Sequence, residues 1–366
     1  MGLARRNLLR DKTRLGLSIA GVALATALVL LLSGFVDGLD QQLTSYLDQA
    51  PGSIVVSQAG IKNMLVATSV LPPGAADRAR ATEGVASALP LLSSFVILEF
   101  HDTKQAGYLV GFDPARGGGP RVLSAGREVA RDDEAIIDRT LAQRHDLKPG
   151  DTFDLMGQRF TIVGLSDRTG SWMTGYVFVR KSAAEALFKA PGMTSFLLVT
   201  PAVGMSADAV RDRLAAIPGI SATPKAEVAA NDVAIFGRFI RPAVRLMTGI
   251  AFLVGTLIVG LVLYSATVER QREYGVLKAI GAPARMLYGV TLTQAAIVTI
   301  AGAAVGFAVA AGEAQLVMAL RPQFLVTFLP LTVAVGLTAS GAMALFAVIL
   351  PARVITGLAP ADVFRR

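Results

Sequence analysis

Four stretches of the chain contain no Asp, Glu, Lys, Arg or His over a length that fits a bilayer: residues 15–36, 246–268, 286–312 and 324–350. A helix needs about 20 apolar residues to cross the hydrocarbon core, and each stretch reaches that length. Residues 37–241, between the first and second stretches, are patterned differently. Residues 37–47 read as a helical continuation of the first span. Residues 53–57, 85–89, 94–99 and 107–111 read as strands, and 135–147 as a helix stopped by Lys148-Pro149-Gly150-Asp151. Residues 152–156 and 159–165 alternate as two strands around Gly157-Gln158, a hairpin signal, and 207–216 reads as a helix ended by Pro218-Gly219. This alternation predicts an α+β domain with mixed sheets, large enough for two subdomains. The fold class is therefore a membrane protein with four transmembrane helices and a large α+β extracytoplasmic domain inserted between helices 1 and 2.

Composition supports the membrane assignment. Of 366 residues, 53% are hydrophobic and only 17% charged, whereas a soluble chain averages about a quarter charged. The net charge of +8 is not spread evenly. Residues 37–241 hold 21 Lys/Arg against 22 Asp/Glu, and the remainder holds 14 against 5. The basic excess thus flanks the apolar stretches, at Arg5, Arg6, Arg10, Lys12 and Arg14, at Arg270, Arg272, Lys278 and Arg285, and at Arg353, Arg365 and Arg366. With four crossings all three clusters share one side, which the positive-inside rule makes the cytoplasm; no nucleic-acid footprint is needed to explain them. The resulting plan is a cytoplasmic amphipathic N-terminus (1–14), span one (15–36), the outer domain (37–241), span two (242–268), a cytoplasmic segment (269–285), span three (286–312), a short outer loop (313–323), span four (324–350) and a cytoplasmic C-terminus (351–366). The 22-residue first run exceeds a signal-peptide core.

Candidate chemistry is sparse. The absence of cysteine excludes disulfides and thiolate sites. Asp132-Asp133-Glu134 reads as a solvated acidic turn rather than a cation site, because metal-ligand spacing is missing. His101-Asp102 has no matching Gly-x-Ser-x-Gly elbow. Gly117-Gly118-Gly119 reads as a flexible loop, since no phosphate-binding helix start follows it. Trp172 and Met173 are candidates for an outer-domain contact, with core packing as the alternative. No Gly-Lys pair occurs anywhere, so the chain lacks a P-loop, and no carboxylate lies within a span to relay protons. No catalytic or metal residue is assigned, and no cofactor is expected on this chain. Gly21 and Ala25 in span one, and Gly302 and Gly306 in span three, have the four-residue spacing of close helix contacts. For Gly21 and Ala25, contact with a second chain and packing within the chain are both open.

Residues 268–287 read VERQREYGVLKAIGAPARML. The pattern is a charged amphipathic helix over 269–280 and then a Gly281-Ala282-Pro283 turn, with Val276, Leu277 and Ile280 on the apolar side and Arg270, Glu273 and Lys278 towards water. Spacing alone fits an ordinary basic loop as well as a docking element. The run Arg-Glu-Tyr-Gly-Val-Leu-Lys-Ala-Ile-Gly-Ala at 272–282 resembles the R-E-x-G-x-L-[RK]-A-x-G-A signature of the MacB/FtsX-like ABC transporter permeases. The segments 7–14, 147–151, 351–353 and 359–366 fit the same family's pattern, so the resemblance runs along the whole chain. It looks most like the DevC/HrtB-type branch, without a fused ATPase. The resemblance implies a type VII exporter fold at the bacterial cytoplasmic (inner) membrane, not an enzyme by itself. The implied partners are two copies of a separate ABC ATPase that uses ATP and Mg, a second permease chain as a homodimer, and an extracytoplasmic adaptor. Glu269, Arg270, Arg272, Glu273, Gly275, Lys278 and Gly281 would form the coupling element against the ATPase. The implied function is export or extrusion of a hydrophobic or amphipathic substrate by mechanotransmission. The alternative is an FtsX-like regulator of a cell-wall hydrolase or sensor.

Overall fold

The computed structural model describes residues 12–100, 103–170, 175–280 and 283–357. Among these, four helices are long and apolar enough to span a membrane. They are α1 (Lys12–Gln49), α6 (Lys225–Glu269), α8 (Ala284–Leu320) and α9 (Pro330–Gly357). The short helices are α2 (Ala75–Ala81), α3 (Arg139–Arg144), α4 (Lys181–Phe188), α5 (Ala207–Ala215) and α7 (Gln271–Ala279). The chain divides into a membrane unit (Met1–Asp37, Ile240–Leu320, Val326–Arg366) and an outer unit (Gly38–Phe239, Arg321–Leu325).

In the membrane unit α1 packs against all three other spans through small residues. A side chain placed on Gly21 would meet Ile258 of α6, and Gly255 of α6 lies against Ala25. On α8, Gly302 faces Val22 and Gly306 faces the backbone of Ala23. On α9, Gly336 faces Leu30. Lipid tails are as apolar as leucine, so burial gives no advantage between spans and close van der Waals approach must hold them together. One hydroxyl pair, Thr26 with Ser340 at 2.8 Å, adds a buried bond from α1 to α9. Gly21 and Ala25 thus pack against α6 within the chain. The outward face of α1 carries Leu17, Leu24 and Leu28.

Two span limits also differ from the hydropathy reading. Residues 313–320, expected in a loop, extend α8, because the Ala/Glu/Gln/Leu-rich sequence propagates the helix until Arg321, which precedes Pro322 and is pushed out of the helical region. Residues 324–329, expected to open span four, are not helical. Thr327 N–H donates to Gly34 O at 3.0 Å, and the helix starts at Pro330, whose missing N–H suits a first helical position.

Among the described residues the outer unit contains ten strands: β1 (Ile54–Gln58), β2 (Val85–Phe100), β3 (Thr103–Phe112), β4 (Leu123–Gly126), β5 (Glu134–Asp138), β6 (Thr152–Leu155), β7 (Gln158–Ser166), β8 (Gly175–Arg180), β9 (Phe196–Pro201) and β10 (Ile220–Pro224). Their order is β10-β1-β9-β2-β3-β8-β5-β7-β4, with β6 bridging β2 and β7. Most pairs are antiparallel, but β3–β8 and β5–β7 are parallel. The two strands expected at 85–89 and 94–99 are one strand. Its first half pairs with β9 and its second half with β3, so each half serves a different hydrophobic core. One core gathers Leu98, Phe160, Ile162 and Val177; the other gathers Val56, Ala79, Leu197 and Leu214.

The helix expected at 135–147 is a correction. Residues 134–138 form β5, a strand buried along its length, and only 139–144 are helical. The switch is made by Asp138, whose side chain accepts from Thr140 N and Leu141 N as an N-cap. The hairpin expected around Gly157 is present, with β6 and β7 joined at Met156-Gly157 and both residues at positive φ, the backbone of a type I′ turn.

Gly306→Val places a branched side chain on the Ala23 carbonyl, 2.6 Å from where its Cβ would stand. It should lower the stability of the detergent-solubilised chain by about 1–3 kcal/mol, the usual overpacking cost. Gly312→Ala, which meets nothing within 4 Å, should leave the unfolding transition in place. Thermal unfolding followed by circular dichroism compares the two.

Candidate functional site

The residues singled out for coupling sit where α6 ends. Helix α6 stops at Glu269; Arg270 leaves helical geometry at φ −102° and ψ 16°, and α7 begins at Gln271. The expected single helix over 269–280 is therefore two pieces broken at Arg270. Arg270 also reaches Glu273 at 4.0 Å. Arg272 and Glu273 are exposed, Lys278 is half-buried, and Gly275 is buried. Val276 and Ile280 are four residues apart and both exposed, Ile280 at 76%. Gly281 lies outside the described residues, as do Trp172, Met173, His101 and Asp102.

Two helices carry the chain from the spans into the outer unit, α1 over 38 residues and α6 over 45 with Pro242 inside it. Each has a specific fixing in the outer unit. On α1, Tyr46 is buried; its hydroxyl donates to Gly118 O at 2.6 Å, and its ring packs 5.5 Å from Tyr176 and 5.7 Å from Phe178. Burial pushes the Tyr46 phenol well above its ordinary pKa, which keeps it a donor. Gly117-Gly118-Gly119 is thus a packed turn, not a flexible loop. Gly117 and Gly118 have φ of +98°, and a side chain on Gly119 would enter the Phe112 ring.

On α6, Asp232 is fully buried in the part of the helix that belongs to the outer unit. Its carboxylate accepts from Met64 N at 3.1 Å and from Leu65 N at 3.0 Å. The neighbouring Asn231 donates to Lys62 O, and Tyr108 of β3 donates to Met64 O. Residues 62–65 are therefore clamped between α6 and the sheet. Desolvation raises the Asp232 pKa to about 6, against the opposing pull of the Leu65 and Met64 N–H groups. In sequence it is a lone Asp directly before Val233-Ala234-Ile235-Phe236, which reads as an ordinary polar position; only the fold puts two backbone donors on it.

In the acidic triplet 132–134, Asp132 and Asp133 are exposed, as a solvated turn requires, but Glu134 is not. Glu134 is buried and takes a bidentate pair of bonds from Arg127, at 2.7 and 2.9 Å, together with Ala130 N and Arg131 N. These bonds, Arg127 first, hold its pKa down to about 2. Asp133 pairs with Arg131, and Asp132 with Arg180 and Ser182. Among the described residues no cluster of His, Asp and Glu is arranged to hold a metal ion.

Comparison with known proteins identifies the architecture. A family model for the MacB-like periplasmic core domain matches residues 15–217, and one for the FtsX-like permease C-terminal region matches 245–360. The chain belongs to the MacB/FtsX-like family of ABC transporter permeases. A protein named as an uncharacterized ABC transporter permease of Mycobacterium tuberculosis is 26% identical over 351 residues, covering 95% of this chain and 92% of that one. A permease similarly named from Mycobacterium bovis is 26% identical over 357 residues, with the same coverage. Among solved structures, the periplasmic region of MacB from Actinobacillus actinomycetemcomitans aligns with 52% of this chain and 96% of its own at TM-score 0.39 and 11% identity. The extracellular domain of the ABC-type transporter YknZ aligns with 47% and 98% at TM-score 0.38 and 11% identity. The chain is thus a multi-pass ABC transporter permease of the MacB/FtsX type.

In this permease, Asp232→Ala leaves two buried N–H groups without an acceptor and should cost roughly 2–6 kcal/mol, at about 1–3 per orphaned group. Hydrogen exchange should rise at residues 62–65 first. The pH dependence has opposite signs at the two carboxylates. Asp232, with its folded pKa raised, contributes stability that is complete below its ordinary 3.8 and lost as pH rises through about 6. Glu134, with its folded pKa lowered, contributes stability present above its ordinary 4.5 and lost as pH falls towards 2. Relative to Asp232→Asn the parent's melting temperature should fall as pH rises from 4 to 7, and relative to Glu134→Gln it should fall as pH drops from 5 to 2.

Proposed function

We propose that this permease is the membrane subunit of an ATP-driven exporter of a hydrophobic or amphipathic molecule, driven by a separate ABC ATPase that binds at α7. The observation that carries the reading is the continuity of α1 and α6 between spans and outer unit. At about 1.5 Å per residue these helices are about 57 and 68 Å long, and the hydrocarbon core takes only about 30 Å of either. A helix is stiff along its axis, so a displacement imposed at the cytoplasmic end of α6 would pass through Pro242, where one backbone bond is missing, to whatever the outer end grips. The grip is the Asp232 clamp on residues 62–65 and, for α1, the Tyr46 bond to Gly118. Both termini and 269–285 are assigned to the cytoplasm of a bacterial inner membrane, on the charge distribution already described.

The energy enters from outside the chain. The sequence has no P-loop, so ATP and Mg belong to the partner. Two ATPase copies would act on two permease chains, each with its own α7. Val276 and Ile280 would fill an apolar recess on the ATPase while Arg272 and Glu273 form rim contacts that set the register. The face of α1 available to a second permease chain carries Leu17, Leu24 and Leu28.

Two measurements test this. Glu273→Lys combined with Gly275→Trp should weaken ATPase binding to the reconstituted permease at least about fivefold, equivalent to ~1 kcal/mol. Unchanged binding and unchanged ATPase stimulation would remove α7 from the interface. A four-glycine insertion after Val36, paired with one after Phe239, should leave ATPase binding intact while abolishing efflux. Retained efflux would refute rigid transmission. Altered envelope morphology with normal efflux would replace export by regulation of an outer enzyme.

A further inference from the structure

The outer unit holds a pocket of about 470 Å³ beside the outer end of α1, and all of its lining belongs to that unit. The volume falls within the range of small-molecule sites, about 300–1,000 Å³. Pro51, Pro114 and Pro120, together with Phe112, give it apolar walls, and the proline rings hold the backbone there at fixed φ.

Two ionised side chains line the same pocket, Arg121 and Glu128. Neighbouring arginines are all matched to acids: Arg116 to Asp113, Arg127 to Glu134, Arg131 to Asp133 and Arg180 to Asp132. Among the described residues the Arg121 guanidinium and the Glu128 carboxylate have no hydrogen-bond or ion-pair partner, and they do not pair with each other. Arg121 also shares its neighbourhood with a second cation. Lys225 donates to Ala50 O at 2.7 Å. Burial lowers the Lys225 pKa; Asp48 opposes the shift and the Arg121 charge adds to it.

The backbone supplies further donors on the Arg121 side. Gly117 and Gly118 have φ of +98°, and successive N–H groups in such turns form anion-binding concavities. The Gly118 carbonyl is taken by Tyr46. Among the described residues the N–H groups of Gly118 and Gly119 have no acceptor, although Gly118 is buried. A buried donor without an acceptor calls for a ligand or water. The pocket thus combines a cationic, N–H-rich turn at 118–121 with one carboxylate at 128.

We propose that this pocket binds a short peptide with free termini, its carboxylate received by Arg121 and the glycine turn and its ammonium by Glu128. A simple anion would leave Glu128 unanswered and be repelled by it, and a simple cation meets the same objection at Arg121. A free α-amino acid carries both charges on one carbon. Arg121 and Glu128 do not meet, so they fit a ligand whose charges are spaced apart, as in a dipeptide. The proline and Phe112 walls accept its apolar side chain. The inference concerns the outer unit alone and is independent of the ATPase and of export.

The test is calorimetry on the full chain in phosphatidylcholine nanodiscs, with glycyl-phenylalanine as the probe. Saturable binding is expected, and the C-terminal amide and the N-acetyl form should each bind more weakly. Arg121→Gln should weaken the dipeptide about 3- to 10-fold and leave the amide unaffected. Glu128→Gln should weaken it similarly and leave the N-acetyl form unaffected. Both side chains are exposed and unpaired, so an unchanged melting temperature should certify the fold of each variant. Hydrogen exchange at Gly118 and Gly119 should slow when the dipeptide binds. No saturable binding to the parent, or equal affinity for the blocked and free forms, would overturn the proposal. So would an Arg121→Gln variant that loses amide and free dipeptide alike. Phosphate binding to the pocket with no dipeptide binding would reduce it to a plain anion site and overturn the proposal too.

Discussion

Inside a bilayer there is no hydrophobic gain from pressing one span against another, and every backbone polar group must be satisfied within the protein. The membrane unit answers both constraints with helices whose contact faces are stripped to glycine and alanine. Helix α1 is the hub. Its residues 21–30 meet Gly255 and Ile258 of α6, Gly302 and Gly306 of α8 and Gly336 of α9. Without that close approach the spans would be four independent helices in lipid. Large apolar residues are displaced to the outside of the unit, where lipid receives them at no cost.

The outer unit obeys a different physics, because it is surrounded by water and can use burial. Its two cores are joined by one long strand, β2, which changes partner from β9 to β3 midway. Its polar groups are then placed where they fix elements rather than perform chemistry. Asp138 caps α3 and also accepts from Thr169; Glu134 ties Arg127 and Arg131 together; Asp232 holds the segment after β1. All three are carboxylates that a search for catalytic acids would have collected. Their partners are backbone N–H groups, hydroxyls and arginines, which consume their lone pairs in structure. These buried acids hold elements in place, and Asp232 does so from α6, one of the two helices that run on into the spans.

The sequence by itself determined the number of spans, the side that carries the positive charge and the family. These are one-dimensional properties: uncharged length, the Lys/Arg count beside each span, and an ordered signature at 272–282. It also located the hairpin at Met156-Gly157, because turn chemistry is local. It misread 135–147, where Ile136 and Ile137 continue into a capped helical turn, since a short apolar run followed by a helix former is ambiguous without knowing that β7 and β8 flank it. It divided β2 in two at Pro90, because the run of apolar residues there carries no sign that the strand exchanges neighbours. It left open what Gly21 and Ala25 touch. Small-residue spacing states that something approaches closely, and tertiary structure alone names α6 as the neighbour. The buried Asp232 and the unpaired Arg121 and Glu128 were likewise beyond the sequence: whether a polar side chain finds a partner depends on which groups, near or far along the chain, the completed fold brings within hydrogen-bonding reach.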